Sequence, residues 1–154
     1  MKIFSNVLFA TLLLAGQAMA EEGRASLEYR LPERQYFISV EVETENGRTN
    51  TISFVFDTGA GYTLVSPDDL GKMKVRWVGT ETVFLPDGSA FPLFRFEVPA
   101  FFIAGCRIDN VQVLAGPAMA ANLLGTDVLS RLMPFTIGGN EVAFKCPKPE
   151  LAAG

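Results

Sequence analysis

The chain contains no histidine. Every Ser-His-Asp and Cys-His nucleophilic mechanism needs an imidazole base, so those classes are excluded. Catalytic zinc commonly rests on His, which argues against a zinc hydrolase. Charge is sparse as well: 13 basic and 17 acidic side chains make up 19% of 154 residues, for a formal charge of −4. No run of four basic residues occurs, so nucleic-acid binding lacks electrostatic support. The remaining acid–base chemistry must come from carboxylates, Lys, Tyr or Cys. The hydrophobic fraction, 49%, is too high for a disordered chain and sufficient for one domain with a core.

The first residues read as an address. Lys2 precedes an apolar stretch at residues 7–16, and Ala18-Met19-Ala20 forms a small-x-small cleavage site. This pattern predicts a secretory signal peptide over 1–20, cleaved after Ala20. The apolar stretch is short for a membrane span; an uncleaved anchor is the alternative. The expected product is periplasmic or secreted, free of the membrane, and its formal charge falls to −5 with the loss of Lys2. The rest divides into an N-terminal segment at 21–33, a domain at 34–146 and a flexible tail at 147–154. Only two cysteines occur, Cys106 and Cys146. Behind a signal peptide an even count predicts a disulfide, with two buried thiols or an interchain bond as alternatives.

The domain reads as β throughout. Ile38, Val40 and Val42 alternate with Ser39, Glu41 and Glu43, the period of a half-buried strand. Asn46-Gly47 marks a hairpin turn before a return strand at 49–56, whose end, Phe54-Val55-Phe56, is continuously apolar. A second hairpin is expected at 81–96 around Pro86-Asp87-Gly88-Ser89, with Pro92 disturbing its return strand, placed at 91–98. A third pair joins 100–103 to 108–114, and a last hairpin spans 135–146. Residues 67–70 suggest at most a helical turn, and Asp68-Asp69 there a solvated one. Leu123-Leu124 is a short strand closed by Gly125, leading into the one convincing helix, 126–132. The 13 Phe residues read mostly as sheet core, with Phe84, Phe91 and Phe94 candidates for a substrate cleft.

The informative segment is Phe56-Asp57-Thr58-Gly59-Ala60. An Asx-type turn after a strand would account for Asp-Thr-Gly alone. An acid directly after a core strand, however, is partly desolvated, which is costly unless useful. Leu123-Leu124-Gly125 means nothing by itself, but it follows at the right remove, with a hairpin between. With Asp57-Thr58-Gly59-Ala60, Leu123-Leu124-Gly125 and the helix at 126–132 in this order, the chain resembles the retropepsin-like aspartic proteases, single-domain relatives of the pepsins. The signal peptide makes it most similar to bacterial members. The resemblance covers residues 34–146 and implies an all-β fold: a closed β-barrel, the half of an acid protease, with one short helix and a flap hairpin formed here by Pro86, Asp87 and Gly88.

The resemblance also implies chemistry. Two facing carboxylates cannot both ionise and share a proton, so one activates water and the other acts as acid. Asp57 is the matching carboxyl. Gly59 would allow close backbone approach and positive φ, and donate its N–H to the carboxylate. Thr58 would bond across a dimer, Ala60 would complete the loop, and Gly125 would let Leu123-Leu124 pass behind it. A single Asp-Thr-Gly implies a two-fold homodimer acting on a peptide or protein substrate, with no metal or organic cofactor required. The chain departs from viral members in having Gly61 and Thr126 where an acid and an Arg are often found. Tyr62 is either subsite wall or packing. The alternative function is a non-catalytic member of the fold that binds a peptide or partner.

Overall fold

The computed structural model describes residues 21–84, 87–116 and 121–148. The expected signal peptide, Pro86 of the flap turn, part of the 115–122 loop and most of the tail lie outside them. The described strands are β1 (Glu22–Ser26), β2 (Glu28–Arg30), β3 (Gln35–Glu43), β4 (Thr49–Phe56), β5 (Arg76–Phe84), β6 (Ala90–Ile103), β7 (Cys106–Ala115), β8 (Leu123–Leu124), β9 (Phe135–Gly138) and β10 (Glu141–Lys145). Two four-residue helices, α1 (Pro67–Leu70) and α2 (Thr126–Leu129), complete the order, and a 3-10 turn (Ser130–Leu132) extends α2. The class is all-β, as the alternation requires.

β3 buries Ile38, Val40 and Val42 and pairs antiparallel with β4, Ile38 opposite Phe54. Gly47, at φ +71°, supplies the left-handed residue that their turn needs. The larger sheet runs β5-β6-β3-β4-β8, with β2 added to β3 and β7 to β6; a smaller one runs β1-β10-β9. One apolar core draws on both, with Phe54 against Phe101 from the larger and Val142 and Phe144 from the smaller.

Two expectations need correction. The return strand of the second hairpin and the first strand of the third pair are one 14-residue strand, β6. Pro92 does not interrupt it. Pro92 sits in register opposite Thr82, whereas pairing with β7 begins only at Phe94, so the missing N–H falls where β6 has one neighbour. The irregularity lies instead in β5, between Trp77 and Gly79. The N-terminal segment at 21–33 supplies β1 and β2. β1 escapes hydropathy because its inward residues are Gly23 and Ala25. A Cβ on Gly23 would lie 2.3 Å from Phe144 Cε2 and 2.6 Å from Cys106 Sγ, so only glycine fits.

Cys106, at the start of β7, is bonded to Cys146, just past β10, with Cα atoms 5.1 Å apart. The bond crosses from the larger sheet to the smaller over a separation of 40 residues. The Cys146 N–H also donates to the Glu21 carbonyl at 2.8 Å, so β1, β10 and β7 are tied at one point. Chain-entropy arguments give such a link about 2–4 kcal/mol. The Cys106→Ala/Cys146→Ala double variant is therefore expected to lose about that much in urea unfolding. Wild-type protein folded in oxidising buffer should show no free thiol on titration.

Candidate active site

The loop after β4 is set by where backbone groups can pair. β8 lies parallel to the end of β4, with Val55 beside Leu123 and Phe56 beside Leu124. The Asp57 N–H continues this ladder onto the Leu124 carbonyl at 3.2 Å. The chain then turns through Asp57–Tyr62 and returns at Leu64, which exchanges both backbone hydrogen bonds with Leu123 at 2.9 Å. The Thr63 carbonyl accepts from Leu114 N–H, also at 2.9 Å, so the base of the loop is wedged between β7 and β8.

Asp57 is half-buried at the mouth of this wedge, and its Oδ1 accepts the Gly59 N–H at 2.8 Å. A Cβ at residue 59 would sit 3.2 Å from that oxygen. Close approach, not positive φ, is thus what glycine provides here, since Gly59 is not among the residues with left-handed backbone. Thr58 is exposed. Ala60 donates to the Asp57 carbonyl at 3.4 Å, and its own carbonyl accepts both the N–H and the hydroxyl of Thr126, at 2.8 and 3.1 Å. Thr126, noted as a departure, therefore ties the loop to α2 without an ion pair.

Gly125 lies against the returning limb of the loop. A Cβ there would lie 2.4 Å from both the carbonyl carbon and the oxygen of Tyr62 and 2.9 Å from Thr63 N, all backbone atoms that cannot step aside. Beside this contact sits a polar cluster that the sequence reading missed. Thr63 is fully buried and gives its N–H and hydroxyl to the two carboxylate oxygens of Asp127, at 3.0 and 2.7 Å. The same hydroxyl accepts the Gly125 N–H at 3.1 Å. Asp127 Oδ1 also accepts the N–H of the next residue, Val128, at 2.9 Å. The alternation Thr63-Leu64-Val65 held the only available signal, a hydroxyl in phase with a buried valine.

A second cluster was also missed. Asn122 accepts Ser66 N–H at 2.8 Å and donates to the Ser53 carbonyl at 3.0 Å and to Asp69 Oδ2 at 2.6 Å. Asp69 is therefore no solvated turn residue. Burial pushes its pKa up, but the hydrogen bonds from Asn122 and Lys72 outweigh that and hold it below its ordinary value. Asp68 is exposed.

The flap-like hairpin is formed by β5 and β6. At its tip Asp87 Oδ1 accepts Ser89 Oγ and N–H at 2.6 and 2.9 Å, and Gly88 has φ +84°, so both are turn formers. The Ser89 hydroxyl, then its N–H, lower the Asp87 pKa. Glu81 and Arg95 pair across the hairpin. Phe84 and Phe94 are exposed on one face, and Phe91 on the other, so the three aromatics do not line a single wall. Tyr62 is exposed and borders a cavity of about 280 Å³ with Arg95, Asp127 and Arg131.

An acid on a loop wedged between paired strands, backed by a glycine-closed strand and helix, defines an acid-protease half. Residues 38–131 match the family described as "gag-polyprotein putative aspartyl protease", and the chain belongs to that family. The fold is similar to that in the crystal structure of a retropepsin-like aspartic protease from Rickettsia conorii. The two are 22% identical, with a TM-score of 0.56, and the likeness covers 80% of this chain and 91% of that one. No curated protein matches the sequence.

Two outcomes follow. Gly125→Ala is expected to destabilise the fold by about 2 kcal/mol or more, because backbone must move. Gly61→Ala, with open space at its Cβ, should stay within about 0.5 kcal/mol of wild type in the same urea titration. The second concerns pH. A carboxyl whose folded pKa is lowered contributes fully above its unfolded value, about 3.9, and loses that contribution as pH falls through the lower folded value. Stability should therefore drop below about pH 4, and Asp69→Asn should flatten part of that slope when urea midpoints are measured from about pH 5 to about pH 2.

Proposed function

We propose that the protein is an aspartic endopeptidase, active as a homodimer in which Asp57 of each copy supplies half of a catalytic dyad. The observation that carries this reading is the geometry of Asp57. Its backbone is fixed by Leu124, its carboxylate is oriented by Gly59 N–H, and it stands at the mouth of the wedge rather than inside the core. The chain holds one such acid, so the second must come from another copy.

Two carboxyls facing each other across a two-fold axis share one proton. The ionised one takes a proton from water as the oxygen attacks the peptide carbonyl carbon. The protonated one gives its proton to the carbonyl oxygen, and a tetrahedral diol forms. One hydroxyl then returns its proton to the newly ionised Asp57, the C–N bond breaks, and the amine leaves with the proton first drawn from water. A carboxyl and an amine are produced, and the dyad again holds one proton. The Gly59 N–H keeps one carboxylate oxygen oriented throughout. The flap-like hairpin, with Phe84 and Phe94 exposed on one face, supplies apolar surface for the substrate chain.

We place this activity outside the cytoplasm. The apolar stretch at 7–16 and Ala18-Met19-Ala20 support export, and the Cys106–Cys146 bond suits an oxidising compartment.

The test is cleavage of denatured casein by the purified chain. Asp57→Asn should lower kcat/KM about a thousandfold or more while leaving the unfolding transition in place, since it removes ionisation without changing shape. Specific activity should fall on dilution, and excess Asp57→Asn should poison wild type through mixed dimers. Full turnover by a folded Asp57→Asn protein would rule the dyad out.

A further inference from the structure

The cavity of about 280 Å³ beside the Asp57 loop has an unusual charge pattern. It is lined by Gln112 and Leu114 of β7, Arg95 of β6, Asp127 of α2, Arg131 of the following 3-10 turn, and Tyr62 at the end of the loop. Arg95 stands in register with Leu114, so β6 and β7 present one continuous surface to it. The volume suits one long side chain rather than a cofactor or a whole peptide.

Arg131 is half-buried, yet no ion pair or side-chain hydrogen bond engages its guanidinium among the described residues. The other described cations that lack an ion pair, Arg34, Arg48, Lys145 and Lys148, are all exposed. A guanidinium drawn partly out of water without a partner is costly. Arg95 is engaged by Glu81, which lies outside the lining. The one lining acid, Asp127, already accepts from Thr63 N–H, the Thr63 hydroxyl and Val128 N–H. Two cations therefore face one carboxylate whose hydrogen bonds are committed, on a chain whose formal charge is −4.

We infer that this cavity binds the carboxylate of an acidic side chain of the peptide substrate, away from the scissile bond, with Arg131 as its partner and Arg95 adding positive potential. The inference rests on the peptidase reading above, which lays a peptide between the Asp57 loop and the flap-like hairpin. Those same two elements bracket the cavity, the loop through Tyr62 and the hairpin through Arg95. Between Asp57 and Tyr62 the way is clear, since a Cβ on Gly61 would meet nothing within 4 Å. An extended chain passing over Gly61 brings a side chain to the rim, where the Tyr62 ring offers apolar contact to its methylene stem. The planar guanidinium fork matches a carboxylate in two parallel hydrogen bonds. Each copy in a homodimer brings one cavity, so the preferred substrate carries an acid on each side of the bond cleaved.

The test uses fluorescent peptides of casein sequence, blocked at both ends so that side chains carry the only carboxylates, with Gln or Glu placed at one position at a time. Binding to Asp57→Asn protein is read by anisotropy, so that no cleavage intervenes. At one position toward each end, Glu should bind about tenfold more tightly than Gln, and the preference should largely vanish at about 1 M salt. Arg131→Gln in the same background should bring the ratio to about one, Arg131→Lys should keep part of it, and Arg131→Glu should favour Lys instead. The ratio and its salt dependence are measured with Arg131 intact, so they decide even if a variant fails to fold. A ratio near one at every position, or the same ratio with and without Arg131, would overturn the inference. Cleavage by wild type with no such preference would do so while leaving the peptidase reading standing. An Arg131-dependent preference for Glu in a wild type that cleaves none of the peptides would uphold the carboxylate site and remove the peptidase reading.

Discussion

The near-contact between Gly125 and the backbone of Tyr62 and Thr63 is the constraint on which the candidate site depends. Because residue 125 has no side chain, α2 starts directly beneath the returning limb of the Asp57 loop. That approach brings Thr126 within reach of Ala60 and Asp127 within reach of Thr63. A Cβ at this point would push the two limbs apart, and the hydrogen bonds on both sides would lengthen together. The glycine therefore acts through its neighbours: it sets a distance, and polar groups on each side exploit it.

Those polar groups show how a loop is held without an ion pair. The buried Thr63 hydroxyl donates to Asp127 and accepts from Gly125, so its hydrogen-bonding capacity is used in both senses. The Asp127 carboxylate is met by two backbone N–H groups and one hydroxyl, which disperse its charge over fixed dipoles. Asn122 does the same on the other side of β8, joining β4, the cap of α1 and Asp69. Neutral donors lose less than ions on burial and need no precise counter-charge. The loop is thus fixed by a network whose members are each satisfied, and Asp57 is left half-buried beside it, with the Gly59 N–H on one carboxylate oxygen.

How much of this was legible follows from where the signals lie. The alternation in β3, the Asn46-Gly47 turn and the apolar end of β4 are period-two and turn-chemistry signals, and β3 and β4 follow them closely. Asp57, Gly59, Leu123, Leu124 and Gly125 were legible as an ordered set, and the structure brings them together around β4 and β8. β1 was not legible because its inward side is glycine and alanine, chosen by the bulk of Phe144 and the disulfide across from it. The continuity of β6 through Pro92 was hidden because the tolerance for proline depends on which flank has a partner, a property of the sheet and not of the strand. The roles of Thr63, Asn122 and Asp69 were hidden, since satisfaction of a buried polar group is visible only once its distant partners, 53 to 69 residues away, are in place.

The two sheets divide the labour in a way that explains the disulfide. The larger sheet carries Asp57 and its loop; the smaller carries the open β9 edge. The two sheets share one apolar core, and at its margin the Phe135 ring, in a contact with Phe56 worth about 0.5–1.5 kcal/mol, ties the edge to the residue before the acid. The Cys106–Cys146 bond adds a covalent tie between them just past β10, beside Gly23 of β1. Phe135 stands opposite Phe144, two residues before Cys146, so the bond and the ring contact act at the same end of the smaller sheet and fix that end relative to Phe56. The proposed pairing of Asp57 with its copy across a two-fold axis would use that definition, because an error in the position of the loop would be doubled where the two carboxyls meet.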